Sequence, residues 1–215
     1  MDTAEESLAY DQMDHSEVNR LFAADFLRAL QMANLPLDVE VLDLGTGTAQ
    51  IPIELCRQCE TIRVTAIDLS SEMLRLAAEN IRRAGLSSRI TLERVDAKRL
   101  PFADGSFAAV MSNSIVHHIP EPQTTLGDAV RVVHRPGGLL FVRDLARPLD
   151  DQQVQHLVGE YASDCNDHQR KLFDDSLRAA LSLEEIRRLV KSLGFEPESV
   201  QASSDRHWTW QAVTA

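Results

Sequence analysis

VLDLGTGTA, residues 41–49, decides the fold of this 215-residue chain. The apolar run that begins at Val41 stops at two glycines, Gly45 and Gly47, and a helical pattern follows over 49–59. A buried strand that ends in a glycine turn before a helix is typical of a parallel α/β sheet. Because glycine has no Cβ, a ligand can approach the turn closely. The stretch therefore predicts a ligand site directly after the first strand.

The same alternation of strand and helix patterns continues along the chain and predicts one α/β domain over 1–215. Five strands alternate with helices, and two more form a terminal hairpin. The predicted strands are 40–45, 61–70, 89–97, 106–114, 138–145, 196–203 and 206–213. The predicted helices are 16–33, 49–59, 71–85, 122–135 and one that begins at the capping box of Ser182 and ends at Gly194.

Composition limits the partners that we expect. The formal net charge of -11 disfavours nucleic acid, whose binders usually present basic patches. Three cysteines are too few for a disulfide framework and favour a reducing, cytoplasmic compartment. The acidic N-terminus does not resemble a signal peptide, and no apolar run is long enough for a membrane helix. Cys56 and Cys59 are expected to be buried apolar residues, and no metal site is predicted.

Acidic residues after the strands suggest what the ligand is. Asp68 ends the second strand, at the spacing from Gly47 where a carboxylate accepts hydrogen bonds from ribose hydroxyls. Both a nicotinamide cofactor and S-adenosylmethionine fit that arrangement. Gln50 stands where a pyrophosphate-binding turn needs a small residue, which disfavours the nicotinamide cofactor. Asp43 could pair with the amino group of a methionine moiety, and Asp96 could accept a hydrogen bond from adenine.

With these motifs in place, residues 39–145 resemble class I S-adenosylmethionine-dependent methyltransferases, especially the ubiquinone/menaquinone type that acts on small molecules. VLDLGTGTAQ resembles the first motif of that family and AIDLSSEML its ribose motif. DAKRLPFADGSFAAVMSN and HHIPEPQTTLGDAVRVVHRPGGLLFVRD resemble its later stretches, with Ala108 where the family usually has Asp. Ala49 replaces a glycine of many members, and we expect it to be tolerated because the position needs only a small residue.

The resemblance implies a Rossmann-like sheet of strand order 3-2-1-4-5-7-6, with strand 7 antiparallel and helices on both faces. It also implies S-adenosylmethionine as cofactor and an in-line transfer of its methyl group. The candidate cofactor-binding residues are Asp43, Gly45, Thr46, Gly47, Asp68, Leu69, Met73, Asp96, Ala97, Asn113, Tyr10 and His15.

His117, His118 and Asp144 are the candidate catalytic residues, because they follow strands four and five at the edge where ligands bind in such sheets. A histidine there can take a proton from the acceptor. Each histidine alone is about equally well explained by packing or solvation, and Asp144 could instead pair with Arg143 or Arg147.

Two segments are expected to cover the site. Residues 1–35 form an N-terminal helical lid in which Tyr10, Asp14 and His15 face the cofactor, although a frayed terminus would also explain them. Residues 150–181 form a helical insertion that is long enough to cap the acceptor, or an ordinary solvated connection.

Two other functions remain open at this point. A nicotinamide-dependent oxidoreductase shares the glycine turn, and a protein that binds S-adenosylmethionine without catalysis would keep the same cofactor positions. The sequence determines neither the acceptor nor the oligomeric state.

Overall fold

A computed structural model describes residues 4–11 and 15–215 as one seven-stranded sheet with helices around it. Its strands are β1 Glu40–Leu44, β2 Arg63–Asp68, β3 Ile90–Arg94, β4 Ala109–Asn113, β5 Leu139–Leu145, β6 Val200–Ala202 and β7 His207–Val213. Its helices are α1 Ala4–Asp11, α2 Ser16–Met32, α3 Gln50–Gln58, α4 Ser71–Ala84, α5 Pro122–Val132, α6 Asp151–Tyr161, α7 Asp167–Ala179 and α8 Leu183–Ser192. Short 3-10 turns lie at Val116–His118 and Pro197–Ser199.

The strand order β3-β2-β1-β4-β5-β7-β6 confirms the predicted topology. β1 to β5 pair in parallel, whereas β7 runs antiparallel to both β5 and β6. The terminal hairpin is therefore present, with β6 shorter than expected because a 3-10 turn occupies Pro197–Ser199.

Two apolar layers enclose the sheet, because successive strand residues point to opposite faces. Val41 packs with α2, α3 and α4 on one face, and Leu42 packs with α5 and α8 on the other. On the first face, the rings of Phe22 and Phe26 meet Phe141 edge to face at centroid distances of 5.3 and 5.7 Å. This packing fixes α2 and leaves the carboxyl ends of the central strands open to a ligand.

Helix ends follow the chemistry expected from the sequence. Ser70 caps α4 through the N–H of Met73, and Gly85 ends it in the left-handed conformation. Ser182 and Glu185 form the predicted capping box of α8. A second capping box, Asn166 with Gln169, starts α7 and was not predicted.

The segment 150–181 is helical, as predicted, and has a small apolar core of its own. Val154, Leu157 and Leu177 bury their side chains against Leu145 at the end of β5. Within the described part of the chain, helices long and apolar enough to cross a bilayer are absent.

Candidate active site

A cavity of about 610 Å³ opens at the carboxyl ends of β1, β2 and β4. This volume falls within the range of roughly 300–1,000 Å³ of small-molecule sites. Eleven of the twelve candidate cofactor-binding residues lie on its wall: Tyr10, His15, Gly45, Thr46, Gly47, Asp68, Leu69, Met73, Asp96, Ala97 and Asn113.

The glycine turn forms the floor of the cavity between β1 and α3. Its backbone is held by the carbonyl of Ile67, which accepts hydrogen bonds from the N–H groups of Gly45 and Thr46, both at 2.9 Å. Gly45 and Gly47 have φ values of 72° and 55°, in the left-handed region that residues with a Cβ rarely adopt. A Cβ on Gly45 would stand 2.5 Å from the side chain of Ile115. These two positions therefore need glycine for reasons of both conformation and space.

Asp68 joins the glycine turn to the end of β2. Its Oδ2 accepts a hydrogen bond from the N–H of Gly47 at 2.9 Å, and its Oδ1 accepts one from the N–H of Ser70, also at 2.9 Å. Each carboxylate oxygen has a second lone pair. Asp68 can therefore keep both backbone bonds while it accepts ribose hydroxyls from a ligand in the cavity.

Asp43 lies beneath the turn, is 3% exposed and does not itself line the cavity. Burial raises the pKa of its carboxyl to about 7, and the neighbouring negative charge of Asp68 acts in the same direction. A cationic group in the cavity would stabilise the ionised form. Asp43 is thus placed to respond to the charge of a bound ligand.

Asp96 has two roles in this structure. It lines the cavity, and it also closes its own turn, because its Oδ1 accepts the N–H of Lys98 at 3.0 Å and its Oδ2 lies 3.6 Å from the Lys98 ammonium. Asp96 therefore closes a turn in this structure, and its contact with adenine stays a prediction.

The N-terminal candidates lie at the cavity as well. The rings of Tyr10 and His15 are 5.4 Å apart, and both line the wall. Burial raises the pKa of Tyr10, and the charge of Asp68 adds to that shift. Asp14 lies outside the described residues.

The three candidate catalytic residues divide into two groups. His118 lines the cavity, whereas His117 and Asp144 lie outside its wall with side chains only 5% and 1% exposed. Asp144 binds His117 Nδ1 at 2.6 Å and also accepts the backbone N–H groups of Val116 and His117. Asp144 thus orients a histidine, and the alternative pairing with an arginine is absent, since Arg143 and Arg147 bind other carboxylates, those of Asp25 and Glu185.

His118 is the titratable group of this trio that a substrate can reach. Its ring packs on that of His117 at a centroid distance of 4.0 Å. Partial burial lowers its pKa to about 4, and His117 adds to that shift. The His118 ring is therefore neutral near pH 7 and able to accept a hydrogen bond, although its low pKa makes it a weak base.

The insertion 150–181, which the structure describes in full, contributes no residue to the cavity wall. α7 contacts the 116–118 turn, and Tyr161 at the end of α6 donates a hydrogen bond to Asp205 Oδ2 in the terminal hairpin at 2.7 Å. Trp208 and Trp210 are fully buried in the sheet core. A role of the insertion as an acceptor cap stays a prediction.

Sequence reasoning missed two features of the site. Asp11 lines the cavity, and its side chain binds Gln50 and Asn80, contacts that no local motif signals. Ala49 adopts the left-handed conformation with a φ of 62°, so the position favours glycine for its backbone and not only for its size.

Cys56 and Cys59 are buried free thiols, as expected. Burial raises the pKa of Cys56 to about 11, which makes it unreactive. Groups of three or more metal-binding side chains do not occur within residues 4–11 and 15–215.

Comparisons with known proteins agree with this geometry. A profile of the family described as methyltransferase domain matches residues 41–138. The demethylmenaquinone methyltransferase of Porphyromonas gingivalis is 30% identical over an alignment of 197 positions, which covers 86% of this chain and 80% of that protein. The 27-O-demethylrifamycin SV methyltransferase of Amycolatopsis mediterranei is 29% identical over 162 residues, 75% of this chain and 55% of that protein.

Solved structures share the fold. A S-adenosylmethionine-dependent methyltransferase from Aquifex aeolicus superposes with a TM-score of 0.67 over 100% of both chains, at 19% sequence identity. The fold of this chain is therefore that of an established architecture.

Proposed function

This chain belongs to the class I S-adenosylmethionine-dependent methyltransferases, and from that premise we propose that its glycine turn and Asp68 hold the cofactor in the cavity, while Asp43 beneath the turn balances the positive charge of the cofactor. The chain is an enzyme that transfers a methyl group from S-adenosylmethionine to a small-molecule acceptor. This membership removes the nicotinamide-dependent oxidoreductase from consideration. One observation supports the proposed site above all others: Gly47 and Asp68 are joined by a hydrogen bond, so the turn and the carboxylate that we propose to bind the ribose lie at one wall.

The residues at this wall fit the cofactor. Space beyond Gly47 is open, because a Cβ built there would meet nothing nearer than Tyr10 Cε1 at 3.9 Å. The hydroxyl of Thr48, buried beside the cavity, has no hydrogen-bond partner among the described residues. Asp11, Asp68 and Asp96 give the wall an acidic character that suits the net positive charge of S-adenosylmethionine.

S-adenosylmethionine supplies a methyl group on a sulfonium sulfur, which is already activated for transfer. The chain's own residues therefore need to bind the cofactor and the acceptor, orient them and exclude water. Orientation alone can lower a barrier by about 7–11 kcal/mol. Asp144 holds the Val116–His118 turn in place through its buried hydrogen bonds. That turn presents His118 to the cavity, where its neutral ring accepts a hydrogen bond from an acceptor hydroxyl and, as a weak base, takes up the proton while the methyl group is transferred.

The acceptor side of the cavity differs in charge from the cofactor side. Residues that follow β4 on the wall carry no permanent charge: Ser114, Ile115, His118, Ile119 and Pro120. An ionic acceptor would be desolvated there without a partner. Together with the similarity to a demethylmenaquinone methyltransferase, this wall supports an uncharged ring compound of the quinone type as the acceptor. The three free cysteines support a cytoplasmic location.

The experiment that tests this proposal supplies methyl-labelled S-adenosylmethionine and four classes of acceptor: a hydroquinone without the ring methyl, a phenol, a cationic amine and a carboxylate. We expect label in the hydroquinone product and little or none in the amine and carboxylate. The Asp68→Ala variant serves as the matched control, because it removes a proposed cofactor contact and leaves the acceptor side intact. Label in the amine or carboxylate alone would contradict the proposed acceptor class. The absence of label from all four acceptors would also contradict it.

A further inference from the structure

One carboxylate fixes helix α1 to the body of the protein. Asp11, the last residue of α1, accepts two hydrogen bonds at the same oxygen, from Asn80 Nδ2 at 2.8 Å and from Gln50 Nε2 at 3.2 Å. Asn80 Nδ2 also lies 3.2 Å from the carbonyl oxygen of Thr48. A single side-chain amide on α4 therefore connects the end of α1 with the loop that follows Gly47.

The end of α1 is part of the cavity wall. The ring of Tyr10, next to Asp11, lies 3.9 Å from the position that a Cβ on Gly47 would take. Tyr10 and Asp11 both line the cavity, whereas Asn80 does not. Asn80 therefore acts on a ligand only through its partners, Asp11 at the end of α1 and Thr48 in the glycine turn, and the shorter of the two contacts is the one to Asp11.

α1 needs such contacts because it is short. An isolated helix of eight residues is not stable in water, so the packing of α1 against α4 maintains its structure. Hydrogen bonds to an ionised carboxylate are the stronger kind, and two of them converge on Asp11 Oδ1. Loss of the Asn80 amide would leave Gln50 alone at the longer distance.

We propose that Asn80 is a positioning residue of the cofactor site, which holds Asp11 and thereby keeps Tyr10 over the glycine turn. The proposal deepens the proposed function and rests on it, because the ligand retained by this wall is the adenosyl cofactor. Asn80 acts on the rate at which the cofactor leaves and not on the methyl transfer itself.

The test compares the wild-type chain with Asn80→Ala and Asn80→Asp. Alanine favours the helix more than asparagine does, so Asn80→Ala should keep α4 folded. The first measurement is hydrogen–deuterium exchange without ligand, in which we expect faster exchange of the amides of residues 4–11 and unchanged exchange in β1 and β4. The second is the dissociation rate of S-adenosylhomocysteine, which we expect to rise about tenfold in Asn80→Ala at an unchanged association rate. In Asn80→Asp we expect a larger increase in both the exchange rate of residues 4–11 and the dissociation rate, since a second carboxylate there repels Asp11.

Glu79→Ala is the matched control, because Glu79 precedes Asn80 on α4 and binds Arg75 and Arg83 away from the cavity. It should change neither measurement. Unchanged exchange of α1 in Asn80→Ala would overturn the proposal, and so would faster exchange with an unchanged dissociation rate. A wild-type chain that does not bind S-adenosylhomocysteine would overturn the proposed function itself, whereas failure of this inference alone leaves wild-type binding intact.

Discussion

The backbone N–H of Gly47 donates a hydrogen bond to Oδ2 of Asp68 at an N···O distance of 2.9 Å. This bond links the turn after β1 to the end of β2, two parts of the chain that lie 21 residues apart. The turn and the carboxylate therefore keep one fixed relation, and a ligand that binds one of them meets the other without rearrangement.

Replacing Asp68 should weaken cofactor binding strongly. Asp68→Ala removes the charged acceptor for the ribose hydroxyls, and hydrogen bonds to charged groups are worth about 1.5–3 kcal/mol, so we expect S-adenosylhomocysteine affinity to fall about 10- to 100-fold. Asp68→Asn keeps one carbonyl oxygen, so its affinity for S-adenosylhomocysteine should lie between those of Asp68→Ala and the wild type. Isothermal titration calorimetry measures both, and equal affinity of wild type and Asp68→Ala would contradict the assigned role.

Cofactor affinity should depend on pH through Asp43. Its pKa is about 7 in the free protein, and a bound ammonium or sulfonium group favours the ionised carboxyl, so binding releases a proton below that pH. We expect the affinity for S-adenosylmethionine to rise as pH increases from 5.5 to 7, by at most about tenfold per pH unit. The Asp43→Asn variant should bind more weakly and show a flatter profile, and a wild-type profile that falls over this range would exclude the charge pairing.

The same carboxyl should make the ligand-free protein less stable as pH rises. The folded-state pKa of Asp43 is raised from 3.8 to about 7, so the unfolded chain ionises first and the folded state loses stability between about pH 4 and pH 7. At about 1.4 kcal/mol per pKa unit the loss amounts to a few kcal/mol. Chemical denaturation of ligand-free protein at pH 7.5 should therefore find Asp43→Asn more stable than wild type. A less stable variant would contradict this, because it would show that neighbouring groups offset the cost of burying the ionised carboxylate.

Ala49→Gly should stabilise the protein. Ala49 occupies the left-handed region, which costs an L-residue about 1–2 kcal/mol, and glycine would relieve this cost. The greater freedom of glycine in the unfolded chain offsets roughly 0.4–1 kcal/mol of the stability gained in this way. The expected net increase in the free energy of unfolding is about 0.5–1 kcal/mol. Urea denaturation tests this value, with Ala78→Gly, at an exposed position inside helix α4, as a control that should destabilise.

His118 should matter for turnover and not for cofactor binding. It lines the cavity on the side of β4, and general base catalysis typically contributes about 100-fold or more, so His118→Ala should lower kcat by about that factor. S-adenosylhomocysteine affinity should stay within about twofold of wild type. His156→Ala, on the exposed face of α6, is the control and should leave kcat unchanged. Full turnover of His118→Ala on the true acceptor would remove His118 as a base.

Much of the fold follows from local sequence patterns. The five parallel strands, the glycines at 45 and 47 and the capping box of Ser182 are short-range signals, and the structure shows each of them close to its expected position. Resemblance supplied the strand order, because periodicity alone does not say which strands are neighbours.

The details of the site depend on contacts between distant parts of the chain. His117 and Asp144 are 27 residues apart, and nothing near either residue in the sequence shows that their side chains bind each other and lie outside the cavity wall. Asp11 meets Asn80 across 69 residues. The conformation of Ala49 was misjudged for another reason: residue size is visible in the sequence, whereas a positive φ at alanine is imposed by the surrounding turn.

Titration of the purified wild-type chain with S-adenosylhomocysteine tests the central claim most directly. The glycine turn with Asp43 and Asp68 predicts one binding site per chain with a dissociation constant in the ~micromolar range, which is lost or greatly weakened in Asp68→Ala. No heat of binding and no ligand-induced stabilisation at millimolar concentrations of either S-adenosylhomocysteine or S-adenosylmethionine would contradict it.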